Sequence, residues 1–109
     1  MRSVGLPTEV VYPALGAPSR MAIPPSSGFA LLTEDDKIPY LKDSGRDGYK
    51  AFLLKQFPRA FALSPSGAWG WAEMGDDPLA RALANCNQHT KNQPCHLYAV
   101  DDQVVWVKE

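Results

Sequence analysis

Four residues able to do chemistry crowd into one short stretch: Cys86, His89, Cys95 and His96. Thiolate and imidazole are ligands that zinc favours, and a thiol beside an imidazole is a starting point for nucleophilic catalysis. The spacing suits neither well. If Cys95 and His96 begin a strand, their side chains leave on opposite faces and four ligands do not converge. Cys86 and His89 stand one helical turn apart, with no surrounding motif that marks a nucleophile. Pairing is the simpler use of the two cysteines. The count is even, and a bridge would close a ten-residue loop. The chain-entropy view assigns about 2.7 kcal/mol to such a closure. A Cys86–Cys95 disulfide implies an oxidising compartment, periplasmic or secreted. Two buried thiols in a cytosolic protein, and a Cys/His zinc site, are the alternatives.

The remaining polar clusters read as structure. Ser64-Pro65-Ser66-Gly67 has the residue order of a type I turn and lacks the strand-to-helix Gly-x-Ser-x-Gly of a nucleophile elbow. Asp76-Asp77 precedes a proline and fits a helix cap, Asp101-Asp102 fits a turn, and Glu34-Asp35-Asp36-Lys37 fits a solvated loop. No glycine-rich loop stands ready to cradle phosphate, and no cofactor is called for. The 109 residues hold 11 Lys+Arg against 12 Asp+Glu, dispersed along the chain. That balance gives no basic surface for nucleic acid. At 45% apolar and 21% charged the composition is that of one globular domain, with no membrane-spanning run.

The elements that must position these residues are punctuated by ten prolines. Five of them, Pro7, Pro13, Pro18, Pro24 and Pro25, fall in residues 1–28, which predicts an extended or flexible N-terminal arm. The arm's apolar stretches are too broken for a signal-peptide core, and whether a signal was removed is not written in these residues. Residues 29–109 are expected to form a single domain. Ser44 with Asp47 resembles a capping box, and Tyr49, Phe52, Leu53 and Phe57 follow at helical spacing until Pro58. Arg59 to Ser64 and Ala68 to Glu73 read as paired strands. A three-residue loop, Pro65-Ser66-Gly67, sets Leu63 opposite Trp69 and Phe61 opposite Trp71, all on one face. Asp77 and Pro78 open a second helix, with Leu79, Ala82, Leu83 and Cys86 on one side. Cys95 to Val100 and Gln103 to Val107 form a second hairpin around Asp101-Asp102. Its register sets Ala99 opposite Val104 and Leu97 opposite Trp106, with Tyr98, Val100, Val105 and Val107 on the other face. Both faces are apolar, so this hairpin is expected to be covered on both sides.

The order helix-hairpin-helix-hairpin predicts an α+β fold: a two-layer arrangement with a four-stranded antiparallel sheet and both helices on one face. Residues 29–107 also resemble a small domain of exported proteobacterial proteins, Burkholderia-like in source. The resemblance rests on Ile38-Pro-Tyr-Leu, Gly45-Arg-Asp-Gly-Tyr, the run Pro58 to Trp71 and, above all, Cys95-His-Leu-Tyr-Ala-Val-Asp-Asp-Gln-Val-Val-Trp106. It implies export and a paired cysteine at the end of the second helix, and it brings no catalytic residue.

The expected function is therefore a non-enzymatic, exported interaction module for a protein or ligand, monomeric or weakly dimeric. Its expected contact surface is the sheet face with Ala60, Ala62, Gly70 and Ala72, together with Tyr98 and Val105. The small side chains there leave room for the arm or for a partner strand. A small hydrolase using His89 or His96 with a carboxylate is the enzymatic alternative.

Overall fold

Both hairpins form and join edge to edge, although the last strand ends at Val104 and does not run on to Val107. The computed structural model describes residues 22–107. A 3₁₀ turn, Asp35–Lys37, leads to α1, Asp43–Phe52. Strands β1, Arg59–Leu63, and β2, Trp69–Glu73, come next, then α2, Pro78–Asn87. Strands β3, His96–Val100, and β4, Gln103–Val104, complete one antiparallel sheet in the order β2-β1-β3-β4. The α+β class and the order of elements agree with the sequence. Residues 1–21, with Pro7, Pro13 and Pro18, lie outside the described residues. Residues 22–28 hold no helix or strand, and Ser27 donates its N–H to the Val104 carbonyl at 3.0 Å on the rim of β4.

The first hairpin has the register that the turn chemistry predicts. Leu63 faces Trp69 and Phe61 faces Trp71. The Ser64 N–H donates to the Ala68 carbonyl at 2.9 Å, and Gly67 takes φ +90°, a conformation open to residues without Cβ. Phe61 and Trp69 stack with rings 5.9 Å apart and 8° from parallel.

The two helices do not share a face. They lie on opposite sides of the sheet, which makes three layers rather than two. Trp69 and Gly70 are neighbours in β2, so they point to opposite faces. A Cβ on Gly48 of α1 would meet the Trp69 indole at 2.3 Å, whereas a Cβ on Gly70 would meet the Cys86 nitrogen of α2 at 2.5 Å. The α1 side is an aromatic core of Tyr49, Phe52, Phe61, Tyr98 and Trp106 with Ile38, Leu41 and Leu63. The α2 side packs Ala60, Ala62 and Ala72 against Leu79, Ala82 and Cys86. The second hairpin is covered on both sides, as its two apolar faces require.

Strand β3 departs from simple alternation. Phe61 pairs with Ala99 but Ala62 pairs with Leu97, so Tyr98 is an extra residue in a β-bulge. The bulge turns Tyr98 into the aromatic core beside Ala99 and sends Leu97 to the α2 side. Leu97 therefore does not face Trp106; Tyr98 does, with rings 6.3 Å apart.

Helix α1 begins at Asp43 with Lys42 as its cap, and Ser44 lies within it instead of capping it. Packing sets this start: the turn beginning at Asp43 places Gly45, Tyr49 and Phe52 on the buried side. The helix also stops before Pro58. Arg59, only 5% exposed, explains the end, because its Nη1 donates to the carbonyls of Phe52, Leu53 and Lys55 at 2.8–3.1 Å. Carbonyls at and just past a helix C-terminus need such donors, and the Phe52 carbonyl also accepts the Lys55 N–H at 3.0 Å. Its Nε donates to the Asp101 carbonyl at 3.0 Å, so one side chain ties the end of α1 to the β3–β4 turn.

Candidate functional site

The expected contact surface is interior. Ala60, Ala62 and Tyr98 are fully buried, Val105 is 4% exposed, and Gly70 is buried beneath the backbone of α2. The small side chains do admit a backbone, but it is that of α2 at Asn85–Cys86. Tyr98 does not even share the face, because the bulge turns it to the α1 side.

The cysteines are paired. Cys86 and Cys95 form a disulfide with Cα atoms 6.1 Å apart, and both are buried. The Cys95 N–H donates to Asn87 Oδ1 at 3.0 Å, which fixes the bridge to the end of α2. Disulfide sulfurs are not thiolate ligands, so the Cys/His zinc arrangement does not form. Among the described residues no three His, Cys, Asp or Glu side chains converge on a cation position. The histidines are separated as well. His96 meets the Trp106 ring edge-on at 6.3 Å, whereas His89 lies in a groove on another part of the surface.

That groove runs along the outer rim of β2. It encloses about 510 Å³ between Ser66–Trp71 on one side and Asn85 and His89 of the α2 end on the other. Strand β2 is an edge, so half of its backbone groups point outward. Hydrogen bonds fix which half. Ala68 accepts from Ser64 and Met74 donates to Pro58, so residues 68, 70 and 72 and the Met74 N–H turn toward β1. Trp69, Trp71 and Glu73 turn their N–H and C=O to the rim.

Helix α2 closes part of this rim with its side chains. Arg81 donates through Nη2 to the carbonyls of Met74 and Glu73, and Asn85 Nδ2 donates to the Trp71 carbonyl at 3.0 Å. Arg81 and Asn85 stand four apart on one stripe of α2, and His89 follows four residues later in the turn after the helix. Four helical residues rise about 6 Å, close to the ~6.7 Å of two strand residues. The third position of this series, His89, stands in the groove with Trp69. The Trp69 N–H and C=O and the Trp71 N–H have no partner among the described residues. Residue types alone do not reveal the role of Arg81 and Asn85, because their partners here are backbone carbonyls.

The loop end of the groove carries hydroxyl groups. Ser64 and Ser66 Oγ are 2.9 Å apart, Ser66 Oγ donates to Thr90 Oγ1 at 3.1 Å, and Thr90 Oγ1 donates to the Gln93 carbonyl at 3.0 Å. These contacts fasten the 64–67 turn to the 90–93 loop. The partners of Ser66 are hydroxyls, not bases able to activate it. A second depression, lined by Ser66, His89, Thr90, Lys91, Asn92 and Gln93, continues the groove past the turn. Neither depression has an acidic side chain in its lining.

No helix among the described residues is long and apolar enough to cross a membrane. No family model, curated protein or solved structure matches the chain.

Proposed function

We propose that this chain is a disulfide-stapled interaction module of the periplasm or the extracellular space. It acts by holding an extended partner peptide in the groove on the outer rim of β2. The observation that carries this reading is the half-closed edge. Asn85 and Arg81 occupy the rim carbonyls of Trp71 and Glu73, while the Trp69 backbone, beside a lined groove, has no partner among the described residues. An exposed strand edge attracts further strands, and proteins commonly protect such edges. Here protection stops at one end, where a short peptide has backbone groups to pair with.

The buried Cys86–Cys95 bridge supports the compartment. Two experiments test the reading. Alkylating whole cells that make the protein after acid trapping should leave both cysteines unlabelled, and labelled thiols would sink the exported assignment. Titrating the labelled protein with random hexapeptides should move the amide resonances of residues 66–71, 85 and 89. Shifts confined to another surface, or none at all, would remove the groove from the proposal.

A further inference from the structure

We infer that the groove recognises the C-terminal end of a peptide, with the free carboxylate placed at the Ser66–His89–Lys91 rim. The inference rests on the groove reading above and adds direction, length and terminal charge. Direction follows from β2, which runs from the turn at Trp69 toward Glu73. A strand added antiparallel runs the other way, so its C-terminus arrives at the turn.

Length follows from the side chains of α2. A peptide residue opposite Trp69 can exchange two backbone hydrogen bonds with it. The residue two places earlier can accept from the Trp71 N–H, but the Trp71 carbonyl already accepts from Asn85. One step further, the Glu73 carbonyl accepts from Arg81. Pairing is thus limited to about three residues, and a long strand passing through finds its partners taken.

Charge decides which end of a chain fits. At the turn end the lining offers the Lys91 ammonium, the His89 imidazole and the hydroxyls and amides of Ser66, Asn92 and Gln93, with no carboxylate. A terminal carboxylate is attracted there and accepts charge-assisted hydrogen bonds. A parallel strand would bring its N-terminal ammonium to the same place and be repelled by Lys91. Lys91 is exposed, so the attraction depends on salt.

The test uses two hexapeptide pools with randomised last three residues, identical except that one ends in a free carboxylate and the other in an amide. Binding is followed on the Trp69 and Trp71 amide resonances. The free-acid pool should bind at least tenfold more tightly than the amide pool. Lys91→Glu should remove most of that difference, with an unchanged circular dichroism spectrum and an intact bridge. Equal affinity for both pools at the Trp69 and Trp71 amides would overturn the carboxylate inference and leave the groove reading standing. No response to either pool would overturn both.

Discussion

Where α1 crosses Trp69, the strand supplies the bulk and the helix supplies the gap. Trp69 and Phe61 stand up from the strands, and Gly45 and Gly48 of α1 lie against the Trp69 indole. On the α2 side the roles are exchanged. Gly70, Ala60, Ala62 and Ala72 flatten the strands, and the backbone of α2 at Asn85–Cys86 comes down onto Gly70. The attachments differ in chemistry too. The aromatic side is held by ring contacts and burial, with Tyr49 5.1 Å from Phe61 and 5.7 Å from Tyr98. The alanine side offers less apolar area, and it carries the covalent bridge. The comparison teaches that alternating large and small residues let one thin sheet hold two helices at different distances. It also explains why the groove lies at β2. The close approach of α2 is what brings Asn85 and Arg81 to the rim carbonyls.

The largest expected effect comes from removing bulk on the aromatic side. Phe61 is fully buried and touches Tyr49, Phe52 and Trp69. Phe61→Ala should cost about 3–5 kcal/mol in urea unfolding, through lost burial and the cavity left behind. A cost under about 1 kcal/mol would show that α1 contributes little to the fold. On the other side, the Cys86→Ala/Cys95→Ala pair should cost about 3 kcal/mol, measured the same way. If the double variant matches the parent, the alanine side is held by packing alone.

The glycines sharpen the contrast. Gly70→Ala places a methyl 2.5 Å from a backbone nitrogen, so the helix itself must move. The expected cost is about 1–3 kcal/mol. The α2 side chains should lift from the rim as well, which the Asn85 side-chain amide resonances would report. Gly48→Ala also collides, but with an indole, and it gains about 1 kcal/mol of helix propensity. Its net cost should be smaller, about 1 kcal/mol, relieved in a Trp69→Leu background. Equal costs at the two glycines would break the proposed exchange of roles.

How much of this was legible in the sequence depended on how local the determinant was. The Ser64–Gly67 turn set the Leu63–Trp69 register, because turn residues dictate loop length and loop length dictates facing. Asp77-Pro78 marked the start of α2, and the pairing of Cys86 with Cys95 followed from their count and setting. The placement of the helices was not legible, since the alanine stripe of β1 and β2 read as a vacancy when it is a seat for α2. Nor was the bulge at Tyr98, because one inserted residue changes the face of a side chain without changing its hydrophobicity. Arg59 read as a strand residue, although its guanidinium caps a helix that ends well before it in sequence. The rim of β2 was hidden for two such reasons. It is built from backbone groups and becomes a groove only once α2 lies on the correct face.

The smallest effect at neutral pH concerns the buried phenols, both of which sit on the aromatic side. The Tyr49 hydroxyl donates to the Leu32 carbonyl at 2.5 Å, whereas the buried Tyr98 hydroxyl has no partner among the described residues. Burial raises the pKa of both, that of Tyr49 also through the neighbouring Tyr98, and Tyr98 is pushed up to about 12. The unfolded chain ionises near the ordinary value of 10.0 while the folded one stays neutral. The stabilisation is therefore complete below pH 10 and is lost as pH rises toward 12 and beyond. Alkali should thus attack the aromatic side, as reductant attacks the bridged one. Tyr98→Phe removes an unpaired buried hydroxyl, so at pH 7 it should be neutral or stabilising by up to about 1 kcal/mol. Its melting temperature should also fall less steeply above pH 10 than that of the parent. A variant that is clearly destabilised at pH 7, with the parent's alkaline slope, would mean that the hydroxyl has a bound water or polar partner. The aromatic side would then be held by more than apolar contact.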